Sequence, residues 1–276
     1  MSLRHIVVAT DESDAGRQAV RAGLDLAGRA AARLTVMRVV SPPAVPLMGA
    51  MAGGVENAEL DAVGTALERL QRWLSADVLP AESDLQVALG IAFGVPGIEI
   101  CRFTERRDAD LLVLGRKQRS PLARLLLGDT ADAVVRRSRV PCLFVQPDSR
   151  PIREILVALD GSERGMRVLD GARALADSVS ARSRVVTVEE EEPCEALAPA
   201  PPRARSLRLE RKVAGSAVGI RRGPIVKEIL AEVAARAPDV LAIGYHRGGP
   251  PGIIEGSSTA RQLTHTAPVS VLAIPL

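Results

Sequence analysis

Apolar and polar positions along this chain switch between two periods, and the whole pattern of switching is traversed twice. Ile6–Ala9 is a continuous apolar run, the signature of a strand covered on both faces. A helical stripe follows, carried by Ala19, Val20, Ala22, Leu24, Leu26 and Ala27, with Ser13 or Asp14 placed to cap its start. The spacing then predicts a strand over Leu34–Val40 and a helix from about Asn57 to Val78, with Leu60, Val63, Leu67, Leu70 and Leu74 on one face. A strand over Leu85–Phe93, a helix over Gly97–Arg107, a strand over Leu111–Leu114, a helix over Thr130–Ser138 and a strand over Cys142–Val145 complete the first pass. Between them, Ala44–Gly54 is rich in Met, Gly and Pro and reads as a mobile loop.

The second pass repeats the first in outline. Arg4–Ser13 returns as Glu154–Ser162, Asp110–Gly115 as Asp239–Gly244, and Val140–Val145 as Pro268–Ile274. A repeat of this length is a whole domain rather than a solenoid unit. Pro147–Pro151 is a short polar linker, which predicts domains at 1–148 and 149–276. In the second, a strand over Ser216–Arg222, a helix over Ile225–Arg236 and a last helix over Thr259–His265 are expected. Its second helix is trimmed: Glu189–Glu192 reads as a solvated linker, Pro193, Pro199, Pro201 and Pro202 follow, and only about Arg203–Val213 remains to coil. Strands alternating with helices across short joins predict an α/β fold with a doubly wound parallel sheet in each copy.

Composition narrows the function classes. A chain of 276 residues holds two ordinary domains, each able to bury a core. Aromatics make up only 2%, so those cores are built from Val, Leu, Ile and Ala. No apolar run approaches bilayer-spanning length and the first residues lack a signal-peptide pattern, so a cytoplasmic protein without membrane contact is expected. The net charge is +3 and the arginines are spread along the helices, which together with the scarcity of stacking aromatics argues against nucleic-acid binding. Cys101, Cys142 and Cys194 have neither zinc-site spacing nor a disulfide framework, and the first two read as small buried apolar residues.

The candidate chemistry lies where ligands bind in open parallel sheets, outside the carboxyl ends of the strands. Asp11 and Asp160 end the two first strands; Gly115 and Gly244 end the two fourth strands. From each glycine the sequence runs through a loop into a helix, ending at Gly128-Asp129-Thr130 in the first copy and Gly256-Ser257-Ser258 in the second. A glycine-bounded loop at a helix start offers main-chain N–H groups and a favourable dipole to phosphate. His5, His246 and His265 show no pattern for metal or general-base work: His5 is expected to flank its strand and His265 to end a helix. Ser2, Ser162 and Ser257 lack a nucleophile-elbow context, and no Walker-type lysine is present.

These motifs resemble, over essentially all of both halves, the universal stress protein family in its tandem two-domain form. The resemblance implies two flavodoxin-like, Rossmann-like five-stranded domains, and nucleotide binding through the first-strand Asp and a loop of the form G-x2-G-x9-G-[ST]. It implies ATP, with magnesium through the triphosphate, contacted by Asp11, Val39, Gly115, Gly128 and Thr130 in the first half. In the second half the counterparts are Asp160, Val188, Gly244, Gly256, Ser257 and Ser258. It further implies that the last strands, Leu143–Val145 and Val269–Ile274, pair antiparallel within the chain, with a homodimer beyond that. Both halves depart from the pattern. In the first, Gln118 stands for the second glycine and Asp129 for Ser or Thr, so a carboxylate already faces the helix start. In the second, Arg247 stands for the second glycine in a loop one residue short, with Gly248 as the substitute in a slipped register. The second half is therefore the expected nucleotide site, in a regulator with at most slow hydrolysis. The rival readings are a scaffold of the same fold with both sites lost, holding an apolar ligand beside Ala44–Gly54, and an adenylyl-transferring enzyme, which lacks its signature loops here.

Overall fold

The computed structural model describes residues 3–41, 55–79, 86–116, 129–160, 162–189, 218–245 and 258–276. The first copy runs β1 (His5–Ala9), α1 (Asp14–Ala30), β2 (Arg33–Val40), α2 (Val55–Asp77), β3 (Val87–Phe93), α3 (Pro96–Arg106), β4 (Leu111–Gly115), α4 (Asp129–Arg137) and β5 (Cys142–Val145). The second runs β6 (Glu154–Leu159), α5 (Glu163–Ser178), β7 (Arg182–Glu189), β8 (Val218–Arg222), α6 (Ile225–Arg236), β9 (Val240–Tyr245), α7 (Ser258–Thr266) and β10 (Ser270–Pro275). The expected loop at Ala44–Gly54 and helix at Arg203–Val213 lie outside the described residues.

All ten strands join one sheet in the order β3-β2-β1-β4-β5-β10-β9-β6-β7-β8. Each half is a parallel five-stranded unit, and the order reverses between β1 and β4 in the first and between β6 and β9 in the second. The central strands are largely apolar because both faces are covered: Ile6, Val7 and Val8 are each fully buried. Alternate side chains feed two separate cores. Ile6 and Val8 join Val20 and Leu26 of α1 and Leu70 and Leu74 of α2, and this core continues to Leu169 of α5. Val7 and Leu112 join Ile100 of α3 and Val134 of α4, and this core continues to Val233 of α6 and Leu263 of α7.

The two units meet where β5 and β10 pair antiparallel, with Phe144 opposite Val271, Leu143 opposite Leu272 and Cys142 opposite Ala273. This is the pairing that the family resemblance implies, and it removes two sheet edges at once. The seam is tied on both sides. The Arg29 guanidinium donates to the carbonyls of Val179 and Ile152, the latter at 2.7 Å, and the Gln146 side-chain amide donates to Ala267 O at 2.8 Å.

Two local expectations are corrected and one alternative is resolved. His5 does not flank its strand; it is buried within β1, its ring nitrogens within 2.9 Å of Arg107 O and Thr35 Oγ1. Of the two expected caps of α1, Ser13 is the one that forms. Glu189 belongs to β7 rather than to a linker, and pairs with Arg222 of β8 at 3.3 Å.

Candidate functional site

At the end of β1 the chain makes a tight turn into α1. Asp11 Oδ1 accepts hydrogen bonds from Ser13 N at 3.2 Å and from the Ser13 hydroxyl, while Ser13 Oγ accepts from Gly16 N. The second copy repeats this closely: Asp160 Oδ1 accepts from Ser162 N at 2.9 Å, and Ser162 Oγ accepts from Gly165 N at 2.9 Å. Gly165 leaves room for the carboxylate, since a Cβ there would lie 2.5 Å from Asp160 Oδ1. Both aspartates are exposed at the carboxyl edge of the sheet. They are turn-forming residues whose charge faces outward from the point where strand order reverses.

Gly115 ends β4 and Gly244 is the penultimate residue of β9, beside those turns, and packing alone requires glycine at the first. A Cβ on Gly115 would lie 2.0 Å from the carbonyl oxygen of Ala15 in α1; on Gly244 it would lie 2.7 Å from a Val168 methyl in α5. Close approach therefore runs to the helix as well as toward any ligand. Val39 and Val188 sit half-buried near the ends of β2 and β7, packed on the α3/α4 and α6/α7 side. Thr130 is the second residue of α4 and Ser258 the first of α7. Asp11, Val39 and Gly115 thus lie at the carboxyl ends of the adjacent strands β1, β2 and β4, and Asp160, Val188 and Gly244 at those of β6, β7 and β9, while Thr130 and Ser258 stand in the first turns of α4 and α7. Gly128, Gly248, Gly256 and Ser257 lie outside the described residues.

Sequence reasoning missed three side chains near these strand ends: Glu12, Arg116 and Tyr245. Glu12, at φ 62° between Asp11 and Ser13, sends its nearly buried carboxylate to Arg38 of β2 and to Arg69 of α2, the latter at 2.6 Å. It lies toward the α1/α2 side and braces the turn that carries Asp11; Gly161 holds the same place in the second copy's sequence. Arg116, directly after Gly115, reaches across the seam to the carbonyls of His265, Ala267 and Val269 at 2.8, 3.0 and 3.3 Å. Burial pushes this guanidinium down to about 10, so it stays a cation at neutral pH. Tyr245, directly after Gly244, is buried and donates its hydroxyl to Ser138 O at 3.0 Å, again across the seam. The one available signal was the repeat itself, since Arg116 and Tyr245 follow matching glycines.

A model of the "Universal stress protein family" matches residues 2–146 and again residues 151–275. A universal stress protein of Methanocaldococcus jannaschii is 29% identical over 143 residues, which are 52% of this chain and 82% of that protein. Among solved structures, a universal stress protein from Archaeoglobus fulgidus superposes with a TM-score of 0.72 at 17% identity, covering 100% of this chain and 99% of the other. A putative universal stress protein from Pseudomonas aeruginosa does so with a TM-score of 0.66 at 17% identity, over 99% and 94% of the two chains. These last two likenesses establish the fold.

Proposed function

With both copies matched over nearly their whole length, the chain belongs to the universal stress protein family, and we propose that within it the chain is an ATP-binding stress-response regulator. Its units are 1–148 and 149–276, and the second holds the nucleotide. Asp160 and Val188 would take the adenosine moiety, and Gly244, Gly248, Gly256, Ser257 and Ser258 the phosphates, with magnesium arriving on the triphosphate. The reading rests on one contrast in otherwise matching geometry. Each crevice sets a strand-end glycine and an exposed first-strand Asp beside a helix start, but α4 begins at Asp129 and α7 at Ser258. By residue type, a carboxylate at position 129 would compete with an incoming phosphate for the positive dipole end of its helix, whereas a serine at position 258 would not. Asp11, Val39, Gly115, Gly128 and Thr130 would then form a degenerate counterpart.

Recognition here is by main-chain amides and one carboxylate rather than by reactive side chains. The output is therefore a conformational or partner change on occupancy, with hydrolysis slow at most. The protein would act in the cytoplasm and associate further as a homodimer. The test is native mass analysis of purified protein for co-purifying nucleotide, joined to calorimetric titration with ATP. Asp160→Ala should weaken binding about tenfold, the loss of one charge-assisted contact, while Asp11→Ala leaves it within about twofold. An intact chain that takes up no ATP would return the protein to the scaffold reading.

A further inference from the structure

We propose that Arg116 and Tyr245 position the terminal helix of the opposite copy, so that each nucleotide mouth is held in shape by the other half of the molecule. Helices α4 and α7 have nine residues each. Helices of that length are marginal in isolation, so their placement depends on tertiary anchors. Their N-terminal ends border the mouths; their C-terminal ends lie at the seam.

At the C-terminal end of α7 the anchor is a cation from the first domain. Arg116 supplies bonds to three carbonyls, His265 within the helix and Ala267 and Val269 just beyond it. It satisfies acceptors that the helix leaves open, and it sits at the negative end of the dipole. At the C-terminal end of α4 the anchor comes from the second domain: Tyr245 Oη donates to the carbonyl of Ser138, the residue after Arg137. Arg116 and Tyr245 themselves extend the strand-end glycines Gly115 and Gly244. A closed path results. The first mouth's strand end grips α7, whose start forms the second mouth; the second mouth's strand end grips α4, whose start forms the first. The two grips differ in kind: Arg116 makes three charged bonds at the end of α7 and Tyr245 one neutral bond at the end of α4, while Arg261 of α7 and Asp132 of α4 form an ion pair at 3.3 Å between the two helices. By linkage, ligand at the second mouth reciprocally tightens the grip of Arg116.

This inference builds on the nucleotide reading of the second mouth, and its test separates the two. In the full chain, Arg116→Met removes the bonds while keeping most of the volume, and is expected to weaken ATP binding about tenfold. Arg116→Lys, which keeps a cation at the helix end, should recover to within about threefold of the intact chain. Arg29→Met removes a seam clamp of the same chemistry that does not touch α7, and should lower thermal stability while leaving ATP affinity within about twofold. Equal ATP affinity in Arg116→Met and the intact chain would overturn the proposal. Amide hydrogen exchange provides a reading without ligand. Exchange at Gln262 and Leu263 should accelerate in Arg116→Met and not in Arg29→Met, even if ATP proves not to be the ligand. Unchanged exchange there would overturn the proposal independently.

Discussion

The two copies share a backbone frame and differ in the packing behind it. Asp110 Oδ2 accepts from the amides of Arg4 and His5, and Asp239 Oδ2 from those of Arg153 and Glu154, in the same arrangement. The turns after β1 and β6 carry the same Asp–Ser–Gly bonds, and Gly94 and Gly223 take the same left-handed backbone, φ 137° and 131°. On the α3/α6 side the copies part. In the first, Phe103 lies over Gly90 so closely that a Cβ there would sit 2.4 Å from the ring. In the second, Glu232 holds the matching place over Gly219 and is bonded to Arg221 at 2.7 Å and to Arg236. The frame is the same in both copies, while the packing beneath it is an aromatic contact in the first and a charge network in the second. Duplication fixes backbone geometry more tightly than it fixes the chemistry supporting it.

The sharpest way to break that comparison is at the divergent position. Phe103→Ala should cost about 4 kcal/mol, since it empties an apolar slot that Gly90 cannot fill, as read from urea unfolding. Glu232→Gln should cost less than half as much, because Arg221 and Arg236 stay partly hydrated. The glycine pair comes next. Gly115→Ala drives a methyl into main chain of α1 and should cost about 3 kcal/mol, against about 1 kcal/mol for Gly244→Ala, whose methyl meets side chains that can turn aside.

Acid titration sharpens the contrast further. Burial pushes the Glu232 carboxyl up, but hydrogen bonds from Arg236 and Arg221 outweigh it and hold the group below its ordinary value. A group depressed in the folded state stabilises fully above its unfolded value of about 4.3 and loses that contribution as pH falls through the folded one. The intact chain should therefore weaken below about pH 4.3 more steeply than Glu232→Gln, compared by thermal unfolding across pH. The smallest effect concerns the first copy's thiols. Burial pushes Cys101 up to about 11 and Cys142 up to about 12. In a Cys194→Ser background at pH 8, neither should react with a disulfide reagent until denaturant is added.

Much of the frame was legible because the central strands are apolar runs and the helices carry apolar stripes, although β7 and β8 include Arg182, Arg184, Arg221 and Arg222. The limits of α6, Ile225–Arg236, follow from the sequence to the residue, and those of α1 follow from Ser13. Strand β3 starts at Val87, two residues inside the expected Leu85. His5 was misplaced because an imidazole in an apolar run looks like a boundary; its partners, Arg107 O and Thr35 Oγ1, come from far along the chain. Gly115 was singled out for the right position with an incomplete reason, since the carbonyl that excludes a side chain there belongs to α1.

Periodicity and repetition by themselves determined that this chain makes two parallel α/β units and where each exposes its strand ends, because burial on both faces of a sheet leaves an imprint in every strand. Tertiary structure alone decided that Glu12 braces a turn, that Arg116 and Tyr245 cross the seam, and that Glu232 stands where Phe103 stood. A long side chain's partner depends on which distant backbone comes within reach, and no local pattern in the sequence encodes that distance.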